Sequence, residues 1–205
     1  RQAFLLTNSA WISIALFGSL PFLLSDIDMS FVDAFFESTS GITTTGATVI
    51  ENLEAKSHGI LIWRALLQWL GGVGIIVMAL AVLPMLSIGG MQLFKTESYE
   101  TPDKVVPKAA SFAAGISIVY ITLTVIWAFM LWGAGMPIFD SIAHAMTTLA
   151  TGGYSTKSES LAAFNSSSIE IIIIFGMLVG SLPFVHYLAL TKNGIKNLIK
   201  DDQVK

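Results

Sequence analysis

The sequence predicts an all-α membrane protein made of two tandem repeats, each ordered as helix, pore helix, filter loop and helix. Hydrophobic residues make up 54% of the 205 residues and charged residues only 12%, whereas soluble domains average about a quarter charged residues. Several apolar runs are long enough to cross about 30 Å of hydrocarbon at about 1.5 Å per residue. A shift of 107 residues also aligns the first half of the chain with the second.

Composition excludes several classes of function. Cysteine is missing from the sequence, which excludes disulfides, thiolate metal sites and cysteine nucleophiles. The net charge of -3 argues against nucleic acid as a partner. The first apolar run starts at residue 3 and is long enough to span, so no cleavable signal peptide is visible. The chain begins with Arg1 and stops just after a charged tail, and we expect it to be a piece of a longer protein.

The apolar runs divide into spanning segments and shorter ones. The predicted spans run roughly over Phe4–Leu24, Gly59–Leu86, Ser111–Trp132 and Ile169–Leu190. Two stretches of about a dozen residues, Phe31–Ile42 and Ile138–Leu149, are too short to span and are predicted to be half-membrane helices. Ser30 with Asp33 forms a capping-box-like start for the first, and Pro137 suits the first turn of the second.

The distribution of basic residues predicts the topology. If the loops that follow the half-helices open outside, residues 88–108 and both chain ends lie inside, as the positive-inside rule expects. These inner segments carry Arg1, Lys95, Lys104, Lys108, Lys192, Lys196, Lys200 and Lys205. The outer segments are acidic and would concentrate cations, although simple solvated loops explain them equally well.

The repeat pairs the two half-helices and the loops that follow them. Thr44-Thr45-Gly46-Ala47-Thr48 falls on Thr151-Gly152-Gly153-Tyr154-Ser155, so Gly46 pairs with Gly153. The repeat divides the chain into a first unit over residues 1–90, a cytoplasmic linker over 91–110 and a second unit over 111–205.

This order of elements predicts a lined path for cations. Non-helical backbone at membrane depth is tolerated only where it is buried or lines a watery path. Glycine permits dihedrals that turn backbone carbonyls toward an axis. The C-terminal end of each half-helix carries partial negative charge, which favours a cation and repels an anion.

Three stretches resemble the TrkH/TrkG/KtrB family of potassium-uptake proteins: "DAFFESTSGITTTGAT" from Asp33, "RALLQWLGGVGIIVMALAVLP" from Arg64 and "GGMQLF" from Gly89. The second-repeat stretch "FDSIAHAMTTLATGGYST" from Phe139 is similar to the same family. The resemblance implies four such units around one pore, and this chain matches the first two. Half a pore is therefore expected here.

The resemblance also implies which atoms bind the ion. Backbone carbonyls would coordinate potassium, which is the substrate, with no cofactor; these belong to Thr44, Thr45, Gly46, Thr151, Gly152 and Gly153. The second loop departs from the threonine run, because Ala150 replaces Thr43 and Gly152 replaces Thr45. Backbone ligation tolerates this change. Each loop keeps one glycine at the key step, so discrimination against sodium is expected to be weaker than in tetrameric potassium channels.

The resemblance implies partners and a location as well. The implied location is the lipid bilayer of a bacterial inner membrane. The implied partners are a second copy of the full-length chain, in a homodimer, and a cytoplasmic nucleotide-binding regulator of the TrkA/KtrA type. The inner surfaces for that regulator are Ser87–Lys108 and the lysine-rich tail. Mixed sodium and potassium passage, symport, and a non-conducting assembly domain remain alternatives, because two units cannot encircle an ion.

An intramembrane serine hydrolase is a further alternative. Its nearest candidate, Ser38-Thr39-Ser40-Gly41, lacks the glycine two positions before the serine. We predict that the protein is not an enzyme.

Several single residues permit two interpretations. Arg64 is either a snorkelling or acid-paired anchor or a residue that acts on ions near the pore. Gly71-Gly72-Val73-Gly74 and the pair Gly176 and Gly180 indicate close helix packing more than hinges. His144, at the position of Glu37, and His186 are predicted to be packed polar residues rather than metal ligands. The five tryptophans are predicted to lie in belts at the membrane–water interfaces; they are Trp11, Trp63, Trp69, Trp127 and Trp132.

Overall fold

The computed structural model describes residues 2–86, 105–182, 184 and 187, with side chains from residue 5 to 74 and from 113 onward. All regular structure in these ranges is helical. The α-helices are α1 (Gln2–Gly18), α2 (Leu20–Leu23), α3 (Phe31–Ile42), α4 (His58–Leu86), α5 (Val105–Gly133), α6 (Ile138–Leu149) and α7 (Ser167–Ser181). Short 3-10 helices cover Leu53–Ala55 and Ser160–Phe164. The all-α prediction is confirmed.

The predicted half-helices coincide with α3 and α6, residue for residue. The Ser30 hydroxyl accepts from the Asp33 amide at 3.2 Å and donates to the Asp33 carboxylate at 2.7 Å. This is the predicted capping interaction, and it satisfies an amide that the first helical turn leaves free. Pro137 lies one position earlier than predicted, at the N-cap of α6.

Helices lie over each of the four predicted runs, but their ends differ from the predicted ones. The first run is divided at Ser19 into α1 and α2, because Pro21 begins a new first turn. Within the described residues, Leu5–Leu23 and Ala113–Gly133 are long and apolar enough to cross a membrane, and Ser167–Ser181 is a shorter apolar helix. Residues 88–104 of the predicted inner loop, the lysine-rich tail and His186 lie outside the described residues, and residues 105–108 belong to α5. The predicted inner side therefore stays a prediction.

One compact unit, formed by Arg1–Gly72 and Thr122–Ser181, holds both half-helices and both loops. In it α1 packs on α3, and α6 packs on α7. A buried apolar cluster lies beneath the first half-helix and is formed by Phe22, Ala34, Ile50, Leu53, Ile60, Leu61 and Leu67. This packing fixes the half-helices and thereby the loops at their C-terminal ends.

The second compact unit comprises Val73–Ile121 and Leu182–Lys205. In its described part, the ring of Phe184 meets that of Tyr120 edge to face, with centroids 5.4 Å apart. The proposed division at residues 1–90, 91–110 and 111–205 follows the sequence repeat and stays a prediction.

Large apolar side chains cover the outside of the described helices. Among the most exposed are Leu6, Phe17, Ile118, Phe129, Phe175 and Leu178. Apolar exposure on this scale is unusual for a soluble monomer, and it is what contact with lipid or with further helices requires.

Candidate functional site

The loops that follow the two half-helices begin with the same hydrogen bonds. The amides of Thr43, Thr44 and Thr45 bond to the carbonyls of Thr39, Gly41 and Ser40. The amides of Ala150, Thr151 and Gly152 bond to the carbonyls of Met146, Thr148 and Thr147, each 107 residues later. Both helices therefore end in the same turn.

The backbone dihedrals repeat as well. Thr44 and Thr151 have φ of 56° and 54°, and Gly46 and Gly153 have φ of 79° and 81°. Positive φ is uncommon for a threonine and routine for a glycine. Two left-handed residues separated by one other residue therefore give both loops an irregular course with left-handed residues at the same positions.

The loops lie side by side at Gly46. A Cβ atom on Gly46 would overlap the carbonyl oxygen of Gly152. The Tyr154 hydroxyl reaches across and donates to the carbonyls of Glu37 at 2.9 Å and Ala47 at 3.2 Å. The structure thus brings the predicted first-loop residues together with those of the second loop.

A buried ion pair supports the first loop. Glu37 and Arg64 are 0% and 1% exposed, and the Arg64 Nε lies 2.7 Å from a Glu37 carboxylate oxygen. The same carboxylate accepts from the Thr48 hydroxyl at 2.9 Å and the Val49 amide at 3.0 Å. Buried charges need this degree of pairing, since each unpaired ion carries a penalty of several kcal/mol.

Arg64 reaches the second loop too. Its Nη1 donates to the Ser155 carbonyl at 2.9 Å, and its guanidinium carbon lies 4.1 Å from the centroid of the Tyr154 ring. The acid-paired anchor among the predicted roles is confirmed. The sequence had not indicated that the anchor would contact both loops.

His144 occupies in the second repeat the place of Glu37 in the first. Its Nδ1 lies 2.8 Å from the Asp140 carbonyl and its Nε2 3.0 Å from the Ser155 hydroxyl. A carbonyl can only accept, so Nδ1 carries the proton and Nε2 accepts from Ser155. No group of three or more potential metal-binding side chains occurs in the part of the chain with described side chains. His144 is a packed polar residue, as predicted.

Gln68 supports the second loop from α4, four residues and thus about one turn after Arg64. It is fully buried, and its Oε1 accepts from the Tyr154 amide at 3.1 Å. Sequence reasoning missed both Gln68 and Tyr154. Two polar residues at i and i+4 in an apolar span were the available signal, because such residues face a protein interior or a water-filled cavity.

The segments that follow the two loops also join the repeats. The Glu54 carboxylate accepts from the Ser158 amide and hydroxyl, both at 2.7 Å, and the Ser158 hydroxyl accepts from the Leu53 amide at 3.1 Å. The hydrogen bonds from Ser158 hold the pKa of Glu54 below its usual value. This contact is solvent-exposed, in contrast to the ion pair below it.

The glycine-rich segments pack against backbone and rings. A Cβ on Gly71 would overlap the Ile42 carbonyl, one on Gly176 would overlap the Trp127 indole, and one on Gly180 would lie 2.8 Å from the Leu149 carbonyl oxygen. Predicted close packing is confirmed at these three positions.

Three of the tryptophans donate hydrogen bonds to other helices. The indole nitrogens of Trp63, Trp69 and Trp127 donate to the Gly18 carbonyl, the Thr124 hydroxyl and the Ile172 carbonyl at 2.9, 3.0 and 3.0 Å. These three indoles link helices, and the interfacial position predicted for the five tryptophans stays a prediction. The indole N–H needs a partner wherever it is buried, which a helix–helix contact can supply as well as a membrane interface.

Comparison with known proteins places the chain in a family. The model of the family described as "TrkH: Cation transport protein" matches residues 1–205. The chain belongs to the TrkH family. This membership confirms the resemblance predicted from the filter loops and the Arg64 segment.

The most similar relatives include potassium-uptake proteins of the Trk system. TrkI of Halomonas elongata is 41% identical over 205 residues, which are 100% of this chain and 42% of the relative. TrkH of Salmonella typhimurium is 40% identical over 209 residues, covering 100% of this chain and 43% of the relative. The chain thus spans about two fifths of their length.

A solved TrkH structure has the same fold. The crystal structure of the potassium transporter TrkH from Vibrio parahaemolyticus matches with a TM-score of 0.86 and 40% identity, covering 98% of this chain and 41% of that one. TrkH family members are membrane transport proteins, so the hydrolase alternative is rejected. Its candidate Ser40 instead donates its hydroxyl to the Ala47 carbonyl at 2.5 Å.

Proposed function

We propose that this chain supplies two of the four pore units of a membrane potassium-uptake protein. The proposed ligands are the backbone carbonyls of Thr44, Thr45, Gly46, Thr151, Gly152 and Gly153. The observation that carries the proposal is the matched pair of loops, which share turn hydrogen bonds and left-handed residues at the same positions. A carbonyl cage needs such repeated backbone geometry, because equivalent oxygens must approach one ion.

Electrostatics support a cation as the ligand. The half-helices α3 and α6 both end at the loops, so their partially negative C-terminal ends lie beside the proposed ligands. Glu37 is paired with Arg64, so the buried charges behind the loops nearly cancel. Attraction for the ion then comes from helix ends and carbonyl dipoles, which suit a weakly bound ion that must leave again.

Potassium is proposed because the Halomonas and Salmonella relatives are named potassium uptake proteins. The alternatives of mixed sodium and potassium passage and of symport are tested by the same flux measurements. We further propose a homodimer of the full-length chain in a bacterial inner membrane, regulated by a cytoplasmic nucleotide-binding subunit of the TrkA/KtrA type. In this arrangement the filter loops face outside, and residues 88–108 and both chain ends face the cytoplasm.

The direct test is potassium flux through the full-length protein in liposomes. Gly46→Ala introduces a Cβ at positive φ and against the Gly152 carbonyl, and we expect flux to fall at least about tenfold, by analogy with other strained sites. Gly133→Ala is the matched control, since a Cβ there has nothing within 4 Å among the described residues. Unchanged flux in Gly46→Ala would refute the filter assignment. A wild-type protein that passes no potassium would favour the assembly-domain alternative.

A second variant tests whether another unit lies beside the second loop. Gly153 has the same φ as Gly46 within 2°, yet in the described part of the chain a Cβ on it has nothing within 4 Å. If a third loop contacted the second loop in the same way that the second contacts the first, one of its carbonyls would lie against Gly153. Under the four-unit proposal Gly153→Ala is therefore as damaging as Gly46→Ala. If Gly153→Ala is much milder, the second loop has no such neighbour.

A further inference from the structure

Gln68 is a buried amide that lies between the two loops. Its Oε1 is held by the Tyr154 amide, and its Nε2 has no hydrogen-bond partner among the described residues. That nitrogen lies 3.5 Å from the point that a Cβ on Gly46 would occupy. One side chain thus contacts the second loop and faces the first.

Gln68 also explains why residue 152 is a glycine. The φ of Gly152 lies outside the left-handed region, so its backbone conformation is open to other residues. A Cβ there would lie 2.7 Å from the Gln68 Nε2 and would overlap the rest of the amide. In the first loop, where the equivalent residue is Thr45, the side chain is accommodated and its hydroxyl lies 2.8 Å from that of Thr43. A side chain at position 152 is therefore limited by the position of the Gln68 amide, which would have to shift to admit it, and not by the φ of the loop.

The two repeats differ at the supporting helix as well. The residue 107 positions after Gln68 is Phe175, on α7, and its side chain is 59% exposed. The residue equivalent to Arg64 is Ile171, which is 53% exposed. The polar face of α4 therefore belongs to the junction of the first and second loops and has no copy on α7.

We propose that Gln68 is a positioning residue of the filter, and that Gly152 is a glycine in order to admit it. Together they fix the distance between the first and second loops and so contribute to discrimination between potassium and sodium. This inference rests on the proposed function. Its physical basis is that a carbonyl cage discriminates between ions by the number and spacing of its oxygens. An amide that bonds to the second loop and lies against the first would fix that spacing.

A double-mutant cycle in the full-length protein tests the pairing. The variants are Gln68→Ala, Gly152→Ala and the two combined, with Gly133→Ala as the control. Rubidium flux and the potassium-to-sodium permeability ratio are measured in liposomes. We expect Gly152→Ala alone to lower flux about tenfold or more, and the combined variant to return to within about threefold of Gln68→Ala. Contacting residues couple on this scale, whereas independent ones add.

The permeability ratio separates positioning from simple space filling. Gln68→Ala is expected to lower the ratio about fivefold while it keeps most of the flux, as loss of an orienting hydrogen bond would. Gln68→Leu keeps the volume without the acceptor, and it should lower the ratio similarly. If Gln68→Leu keeps the wild-type ratio, the amide only fills space and the positioning role is wrong.

The remaining outcomes are also decisive. If Gly152→Ala is equally damaging with and without Gln68, the glycine has another cause and the pairing is refuted. If Gly152→Ala does not fold, recovery of folded protein in the combined variant supports the pairing, and failure to recover refutes it. Gly46→Ala distinguishes failure of this inference from failure of the proposed function. If Gly46→Ala loses flux while the effects of Gln68→Ala and Gly152→Ala simply add, only the inference about Gln68 is overturned.

Discussion

The first and second loops have the same backbone but different supports. Behind the first loop, Glu37 carries a charge and is neutralised by Arg64. Behind the second, the neutral His144 takes the same place and is satisfied by Ser155 and by a backbone carbonyl. The comparison separates what the shared turn requires from what it leaves free. The φ angles agree within 2° at the paired left-handed residues, while the side chains behind the loops differ in charge.

The largest effect is expected when the ion pair between Glu37 and Arg64 is broken. Arg64→Met leaves the buried Glu37 without its partner, and we expect a loss of about 3–5 kcal/mol in the free energy of unfolding. Glu37→Gln combined with Arg64→Met removes both charges and is expected to recover part of this loss. Thermal unfolding of the purified protein in detergent measures both. Equal stability of Arg64→Met and the wild type would show that the ion pair does not support the first loop.

The matching change in the second repeat is expected to be milder. His144→Leu removes two hydrogen bonds, while the Ser155 hydroxyl keeps the bond that it accepts from the Lys157 amide at 3.0 Å. Two bonds at about 0.5–1.5 kcal/mol each correspond to a loss of about 1–3 kcal/mol. The same unfolding measurement applies. A loss larger than that of Arg64→Met would reverse the proposed ranking of charged over neutral support.

Tyr154→Phe tests the bond between the loops. It removes the hydroxyl that donates to the Glu37 and Ala47 carbonyls but keeps the ring beside Arg64. The expected loss is about 1 kcal/mol, the net value of an ordinary hydrogen bond. Potassium flux is measured on the same sample. A change larger than in His144→Leu would mean that the bond between loops matters more than the support behind either one.

The smallest effect is expected at the exposed contact between Glu54 and Ser158. The folded-state pKa of Glu54 is lowered by Ser158, so this contact stabilises the protein above the ordinary glutamate pKa and is lost as pH falls through the lowered value. Ser158→Ala should reduce the melting temperature slightly at neutral pH, and the difference from wild type should shrink in acid. A difference that is constant with pH would exclude Glu54 as its cause.

Local signals were sufficient to predict the half-helices. Ser30 and Asp33 cap the first helix through contacts within one turn, and a run of about twelve apolar residues limits its length. The sequence repeat then predicted the loops, because Gly46 and Gly153 follow half-helices of the same length at the same distance along the chain. These features depend on residues close in sequence.

The supports behind the loops could not be predicted in the same way. Gln68 bonds to Tyr154 across 86 residues, and Arg64 bonds to Ser155 across 91. Such pairs depend on how α4 packs beside the second loop, and neither periodicity nor hydropathy specifies that. The hydrogen bonds of the tryptophans could not be predicted for a related reason, since a preference for interfaces does not show which indoles find a partner on a neighbouring helix.

The left-handed threonines have a consequence for heat tolerance. Thr44 and Thr151 hold φ near 55°, a conformation that is unfavourable by about 1–3 kcal/mol for a residue other than glycine. The loops are therefore held in place by the helices and side chains around them, and not by their own preference. As temperature rises, we expect the loops to relax while the helices are still folded, so that ion discrimination declines before helical structure does.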